Sequence, residues 1–193
     1  MTIERIEQSK YEDSRYLIKS GDILLCSGNS TFSNLIKKFT NSEWSHVAFV
    51  MRIPSIDRLM VLESVESIGV RAVALSSYLK DYNGSGQRYP GKLLISRHKK
   101  MEDCFIENLS KKAIDLLGYP YDKQEIMRIS SRIVASKIMN LSCEIPARNK
   151  EYICSEYVDE CYRSIGIHIT PSCGFIAPRD FANDPQIYPV FSF

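Results

Sequence analysis

Five short apolar runs fill the first half of the chain, and after residue 104 the spacing of apolar residues turns helical. The runs are Ile23 to Cys26, His46 to Met51, Leu59 to Val65, Gly69 to Leu75 and Lys92 to Ser96. Each has the length of a strand and is bounded by turn-forming residues. Gly21-Asp22, Ser27-Gly28-Asn29, Pro54 and Asn83-Gly84-Ser85-Gly86 supply the punctuation. Between the first two runs, Thr31 caps a short predicted helix with Phe32, Leu35, Ile36 and Phe39 at helical spacing.

In the second half, Phe105, Leu109, Ala113, Leu116 and Leu117 share one helical face, which stops at Gly118 with Pro120 just beyond. A longer amphipathic helix is predicted over Lys123 to Leu141, using Ile126, Ile129, Ile133, Ile138 and Met139, before Pro146. Tyr152 to Ile165 reads as another helix, closed by Gly166. The tail from Ile169 carries four prolines and is expected to wrap the surface, with one helical turn near Arg179-Asp180-Phe181. Strands followed by helices predict an α+β fold: an antiparallel sheet or small barrel packed against helices. The expectation is one domain over 1–193 with a helical insertion at about 123–150.

The charge balance, 25 basic against 23 acidic residues, offers no basic face for nucleic acid. The cluster Arg97, His98, Lys99 and Lys100 is read as a solvated strand-to-helix junction. No apolar run approaches the roughly 18–20 residues that span a bilayer. Met1 to Lys19 lacks the apolar stretch of a signal peptide, so a cytoplasmic location is expected. Reduced thiols are then expected for Cys26, Cys104, Cys143, Cys154, Cys161 and Cys173, whose spacing forms no zinc-ligand pattern. No metal or other cofactor is expected, and the oligomeric state is not set by the sequence.

Three histidines narrow the search for a base. His46 opens an apolar strand after the polar loop at Trp44-Ser45, which places it on a rigid element beside a cleft. His98 lies in the basic junction and His168 in a turn. Cys154 falls in the first turn of the predicted helix. Unpaired backbone N–H groups and the helix dipole favour a thiolate there and can bind an oxyanion. Cys161, deeper in that helix, reads as a core residue. Glu63 interrupts an apolar strand, where a carboxylate is costly unless paired, and a histidine on the next strand pairs it. Glu66 is the rival carboxylate, at the following turn. Cysteine, histidine and carboxylate form a nucleophile, base and orienter set.

An ordered set of segments adds to this. It runs Gly21-Asp22-Ile23-Leu24-Leu25, Trp44-Ser45-His46-Val47-Ala48-Phe49-Val50, Leu62-Glu63-Ser64 with Gly69-Val70, and Leu117-Gly118-Tyr119-Pro120-Tyr121-Asp122. Tyr152-Ile153-Cys154-Ser155-Glu156, Ile169-Thr170-Pro171 and Pro178-Arg179-Asp180-Phe181 complete it. The set resembles the permuted papain-like hydrolases, the YiiX-like and YaeF-like branch of the NlpC-type peptidase superfamily. In unpermuted relatives the cysteine helix comes before the histidine strand; here His46 comes first. The resemblance implies Cys154 as nucleophile, His46 as general base and Glu63 as orienting acid. Tyr152 and Ser155, flanking the cysteine, are implied as substrate or oxyanion contacts. The 29 residues between Asp122 and Tyr152 depart from the family's short connection.

The resemblance implies hydrolysis of an amide in a peptide, a cell-wall-derived peptide or another acyl compound, through an acyl-enzyme. Two alternatives stay open. One is an acyltransferase or thioesterase of the lecithin retinol acyltransferase type, with peripheral membrane contact through the 123–141 helix. The other is a non-catalytic ligand-binding module on the same fold.

Overall fold

The computed structural model describes residues 11–122, 152–172 and 175–193. Among these, six strands form one sheet: Asp22–Ser27 (β1), His46–Ile53 (β2), Arg58–Val65 (β3), Gly69–Ala74 (β4), Lys92–His98 (β5) and Ile187–Ser192 (β6). Their order is β4-β3-β2-β1-β5-β6, and every neighbouring pair is antiparallel. The helices are Tyr11–Ser14 (α1), Thr31–Thr40 (α2), Leu75–Lys80 (α3), Ile106–Asp115 (α4), Cys154–Arg163 (α5) and Pro178–Asn183 (α6). The fold is the expected α+β arrangement.

The apolar runs are nearly continuous because the sheet is covered on both faces. Along β2, Val47 and Phe49 enter the core that holds Tyr157, Val158, Cys161 and Tyr162 of α5, while Ala48 and Val50 enter a second core with Leu75 and Tyr78 of α3. Phe49 stacks on Tyr157 at 6.0 Å and meets Tyr162 edge-on at 6.2 Å. Burying each such side chain contributes roughly 1.5–3 kcal/mol, more than any exposed ion pair, so this cluster fixes α5 against β2 and β3. The Tyr162 hydroxyl is satisfied within the core by donating to Gly21 O at 2.5 Å.

The structure departs from the sequence reading at several points, one of them α3, which begins at Leu75 where a strand is expected to end. The tail forms an edge strand, β6, in addition to the expected helical turn. Pro189 is accommodated because the strand lies at the sheet edge, with an irregular register at Ile95/Ser96. The basic cluster is only half solvated. Arg97 and His98 belong to β5; His98 is buried, and Arg97 donates to the buried carboxylate of Asp22 through Nε at 2.6 Å. The apolar side of α2 is not core. Thr40 is its buried residue, Phe32 and Ile36 line a cleft, and Leu35 is exposed; Ser30, one residue before Thr31, supplies the cap to Ser33 N. Leu117 lies past the end of α4, where Gly118 reverses the chain at φ +83°, and is exposed. The helix expected over Lys123 to Leu141 lies outside the described residues.

Candidate active site

β2 pairs with β1 as far as Cys26–His46, but its ladder to β3 stops at Phe49–Leu62. His46, the first residue of β2, therefore stands where the two strands no longer hydrogen-bond, and the N-terminus of α5 meets the sheet at that point. His46 shares strand parity with Ala48 and Val50, as Glu63 does with Val61, so both side chains lie on one face. Nε2 of His46 is 2.7 Å from Oε2 of Glu63. The imidazole also interacts with the side chain of Cys154, which lines the same cleft. With Nε2 committed to the carboxylate, Nδ1 is the ring atom left for the sulfur.

Cys154 is the first residue of α5. Ile153 before it is extended (φ −74°, ψ 164°), and its N–H donates to the Glu156 carboxylate at 3.3 Å. That carboxylate in the first turn complements the positive end of the helix dipole. The approach to Cys154 is strapped down on two sides. Tyr152 N donates to Pro120 O at 3.1 Å, and Ser64 Oγ donates to Tyr152 O at 2.6 Å. On the histidine side, Ser45 Oγ accepts from Gly28 N at 2.9 Å and donates to Cys26 O at 3.3 Å, which clamps the β1 end beside His46.

Glu63 has no exposed surface. Besides His46, it accepts from Arg71 Nε at 2.8 Å and from the Tyr78 hydroxyl at 2.5 Å. Burial alone would raise its pKa; the bond and charge of His46, then Arg71 and Tyr78, outweigh burial and hold it below the ordinary carboxylate value. Burial would likewise lower the His46 pKa, but the interactions with Cys154 and Glu63 win and raise it to about 10.

His46 and Cys154 line an open cleft of about 110 Å³ whose other walls include Ser64, Glu66, Tyr89 and Tyr121. The remaining candidates fall elsewhere. Ser155 is buried, and its hydroxyl donates to Ile176 O at 2.8 Å, so the side chain ties α5 to the segment before α6. Tyr152 is half-buried, its ring 6.0 Å from that of Tyr119. Glu66 is exposed in the β3–β4 turn and lines the cleft wall, while the carboxylate on His46 is that of Glu63. His98 is buried, with Nδ1 accepting from Lys100 N, and His168 is exposed. Burial pushes the Cys161 thiol up to about 12 and the Cys26 thiol well above its ordinary value, so both stay protonated. Cys104 is exposed on the surface, and Cys143 and Cys173 lie outside the described residues. Arg71, Tyr78 and Ser64 were not singled out from the sequence as site residues. Their roles come from strand register and helix docking, which leave no local signature.

A family model for permuted papain-like amidase enzymes, the YaeF/YiiX or C92 family, matches residues 17–188. The chain belongs to this family. In this member of the family the His46 strand precedes the Cys154 helix, and the six-stranded antiparallel sheet with packed helices fits the family's permuted papain-like fold. Among solved structures it is similar to metalloprotein yiiX from Escherichia coli O157:H7, with a TM-score of 0.63 and 17% identity, covering 90% of this chain and 96% of that one. That likeness carries the fold alone. No curated protein matches the chain in sequence. Among its described residues there is no group of three or more His, Cys, Asp and Glu side chains suited to a metal ion, and no helix long and apolar enough to cross a membrane.

Proposed function

We propose that this chain hydrolyses an amide bond in a peptide or peptide-like substrate, with Cys154 as nucleophile, His46 as acid and base, and Glu63 as the orienting carboxylate. The observation that carries the reading is the His46 ring, held by Glu63 at 2.7 Å on one side and sharing the wall of an open cleft with Cys154 on the other.

The thiolate of Cys154 attacks the carbonyl carbon, forming a C–S bond and placing charge on the carbonyl oxygen. The first-turn N–H groups of α5, which have no partner in the helical ladder, are suited to that oxyanion. As the C–N bond breaks, His46 gives its proton to the leaving amine, and a thioester remains on Cys154. Water then attacks the thioester. Neutral His46 takes the water's proton, the carboxylic acid leaves, and the imidazolium–thiolate pair is restored. Glu63 stays ionised throughout and stabilises the imidazolium.

Acyl transfer uses the same first half-reaction, with an alcohol or amine replacing water. The apolar cleft wall of Phe32 and Ile36, with Leu35 exposed beside it on α2, suits an acyl chain and favours this as the second reading. A panel of peptide amides and acyl esters, assayed against wild type and Cys154→Ala, tests both. Turnover of amides that Cys154→Ala abolishes supports hydrolysis. Turnover only of acyl esters with a second acceptor supports transfer, and turnover that survives the substitution overturns both.

A further inference from the structure

Glu63 serves more than His46. Its Oε2 accepts from both His46 Nε2 and the Tyr78 hydroxyl, while Oε1 accepts from Arg71 Nε. A carboxylate has about four acceptor positions, so three donors nearly fill it and leave little freedom to turn. Arg71 is the direct cross-strand partner of Glu63, and its Nη2 donates to Asn83 Oδ1 at 3.3 Å. Tyr78 comes from α3 and packs in a triangle with the rings of Tyr82 and Tyr89, at 5.0 and 5.5 Å, which themselves meet at 4.9 Å.

We propose that Arg71 and Tyr78 are positioning residues for the Cys154–His46 pair: Arg71 keeps the buried Glu63 ionised, and Tyr78 shares the oxygen that faces His46, fixing its direction and limiting how tightly it holds the imidazolium proton. This rests on the reading of Cys154 and His46 as nucleophile and base. Arg71 is the second cation on Glu63 beside His46; with it gone the buried carboxyl takes up a proton more readily, and a neutral Glu63 no longer stabilises the imidazolium. The Tyr78 hydroxyl draws electron density from Oε2, so its loss strengthens the remaining bond to His46. The other titratable groups facing Glu63 are Cys26 from β1, Tyr82 and Tyr89 from the loop after α3, and Cys154 across His46. Burial pushes the Cys26 thiol and both phenols up, so these three remain neutral over the working range.

The test is a pH titration of ¹⁵N-histidine protein by NMR, in which His46 must be resolved from His98 and His168. Wild type is compared with Tyr78→Phe, Arg71→Gln and Arg71→Lys. Tyr78→Phe should move the His46 midpoint upward by about half a unit, a threefold change in its protonation constant. Arg71→Gln should bring the acid-side break in the His46 Nε2–H signal, which reports Glu63, to higher pH, and Arg71→Lys should restore it. Curves that superpose on wild type, or a His46 midpoint that falls in Tyr78→Phe, overturn the proposal. Should Arg71→Gln fail to fold, Tyr78→Phe, which loses only a hydroxyl, decides. Alkylation of Cys154 by iodoacetamide in the same samples keeps the two readings apart. An unreactive wild-type Cys154 sinks the enzyme, whereas the histidine curves judge the positioning residues alone.

Discussion

The hydroxyl of Ser64 donates to the carbonyl of Tyr152 at 2.6 Å, across 88 positions of sequence. Strand β3 thus holds both halves of the candidate site. Glu63 faces His46 on one side of the strand, and Ser64, next in the chain, grips the segment that delivers Cys154. Neither element needs a flexible loop to set its distance to the other, which is what a nucleophile–base pair requires.

That bond gives the first expectation. Ser64→Ala leaves the Tyr152 carbonyl without this donor and should cost about 1 kcal/mol of stability. It should also slow iodoacetamide alkylation of Cys154 by more than the small change in folded fraction explains, because the tip of α5 is less firmly placed. Denaturant unfolding and alkylation rates on the same preparation check both.

The histidine sets a pH dependence with a definite sign. His46 titrates at about 10 in the folded chain, against 6.5 for an ordinary histidine. A folded pKa above the unfolded one stabilises the protein fully below about 6.5, and this contribution is lost as pH rises through about 10. Unfolding free energies measured across that interval should fall more steeply for wild type than for His46→Gln. Amide turnover, which needs the imidazolium to protonate the leaving amine, should fall along the same alkaline limb in kcat/KM.

Gly69 opens β4 at φ +90°, and a Cβ there would stand 2.2 Å from the Tyr119 carbonyl oxygen. The close approach is needed because Val70 N donates to Tyr119 O at 2.9 Å and Gly118 N to Val70 O at 3.0 Å. These bonds carry the chain on to Tyr121 in the cleft wall. Gly69→Ala combines a left-handed backbone penalty of about 1–2 kcal/mol with that clash, so a loss of at least about 2 kcal/mol is expected in urea unfolding.

Asp22, buried at the start of β1, is paired with the half-buried Arg97 of β5. Asp22 has no exposed surface and accepts from Arg97 Nη2 and Lys19 N, each at 2.8 Å, as well as from Arg97 Nε. Asp22→Ala strands a guanidinium that is mostly shielded and should cost about 3 kcal/mol. The rate of Cys154 alkylation per folded molecule should stay unchanged, which a parallel unfolding and labelling series measures.

The parts of the fold that were legible in the sequence are those whose signal is local. His46 to Met51 gives a strong strand signal because a short apolar run ended by Pro54 has the length and residue types of a buried strand. The α5 start was visible in the change from Arg148-Asn149-Lys150-Glu151 to the spacing of Tyr157, Val158 and Cys161. His46, Glu63 and Cys154 stood out as polar or reactive groups at the ends or middle of apolar elements, and the structure brings the three together. Long-range effects were hidden. Edge position decides that Pro189 can sit in β6, and pairing with Asp22 decides that Arg97 is not merely solvated. Helical period alone could not tell that Phe32 and Ile36 of α2 face a cleft rather than the core. Arg71 and Tyr78 acquire meaning only once the β3–β4 register and the docking of α3 are set.

Intact-mass and peptide mass spectrometry after exposure to amide, ester and thioester acyl donors tests the nucleophile directly. An acyl adduct confined to Cys154, absent in Cys154→Ala and greatly slowed in His46→Gln, is the expected result. An adduct that forms instead on the exposed Cys104, or one on Cys154 whose rate ignores the loss of His46, contradicts it.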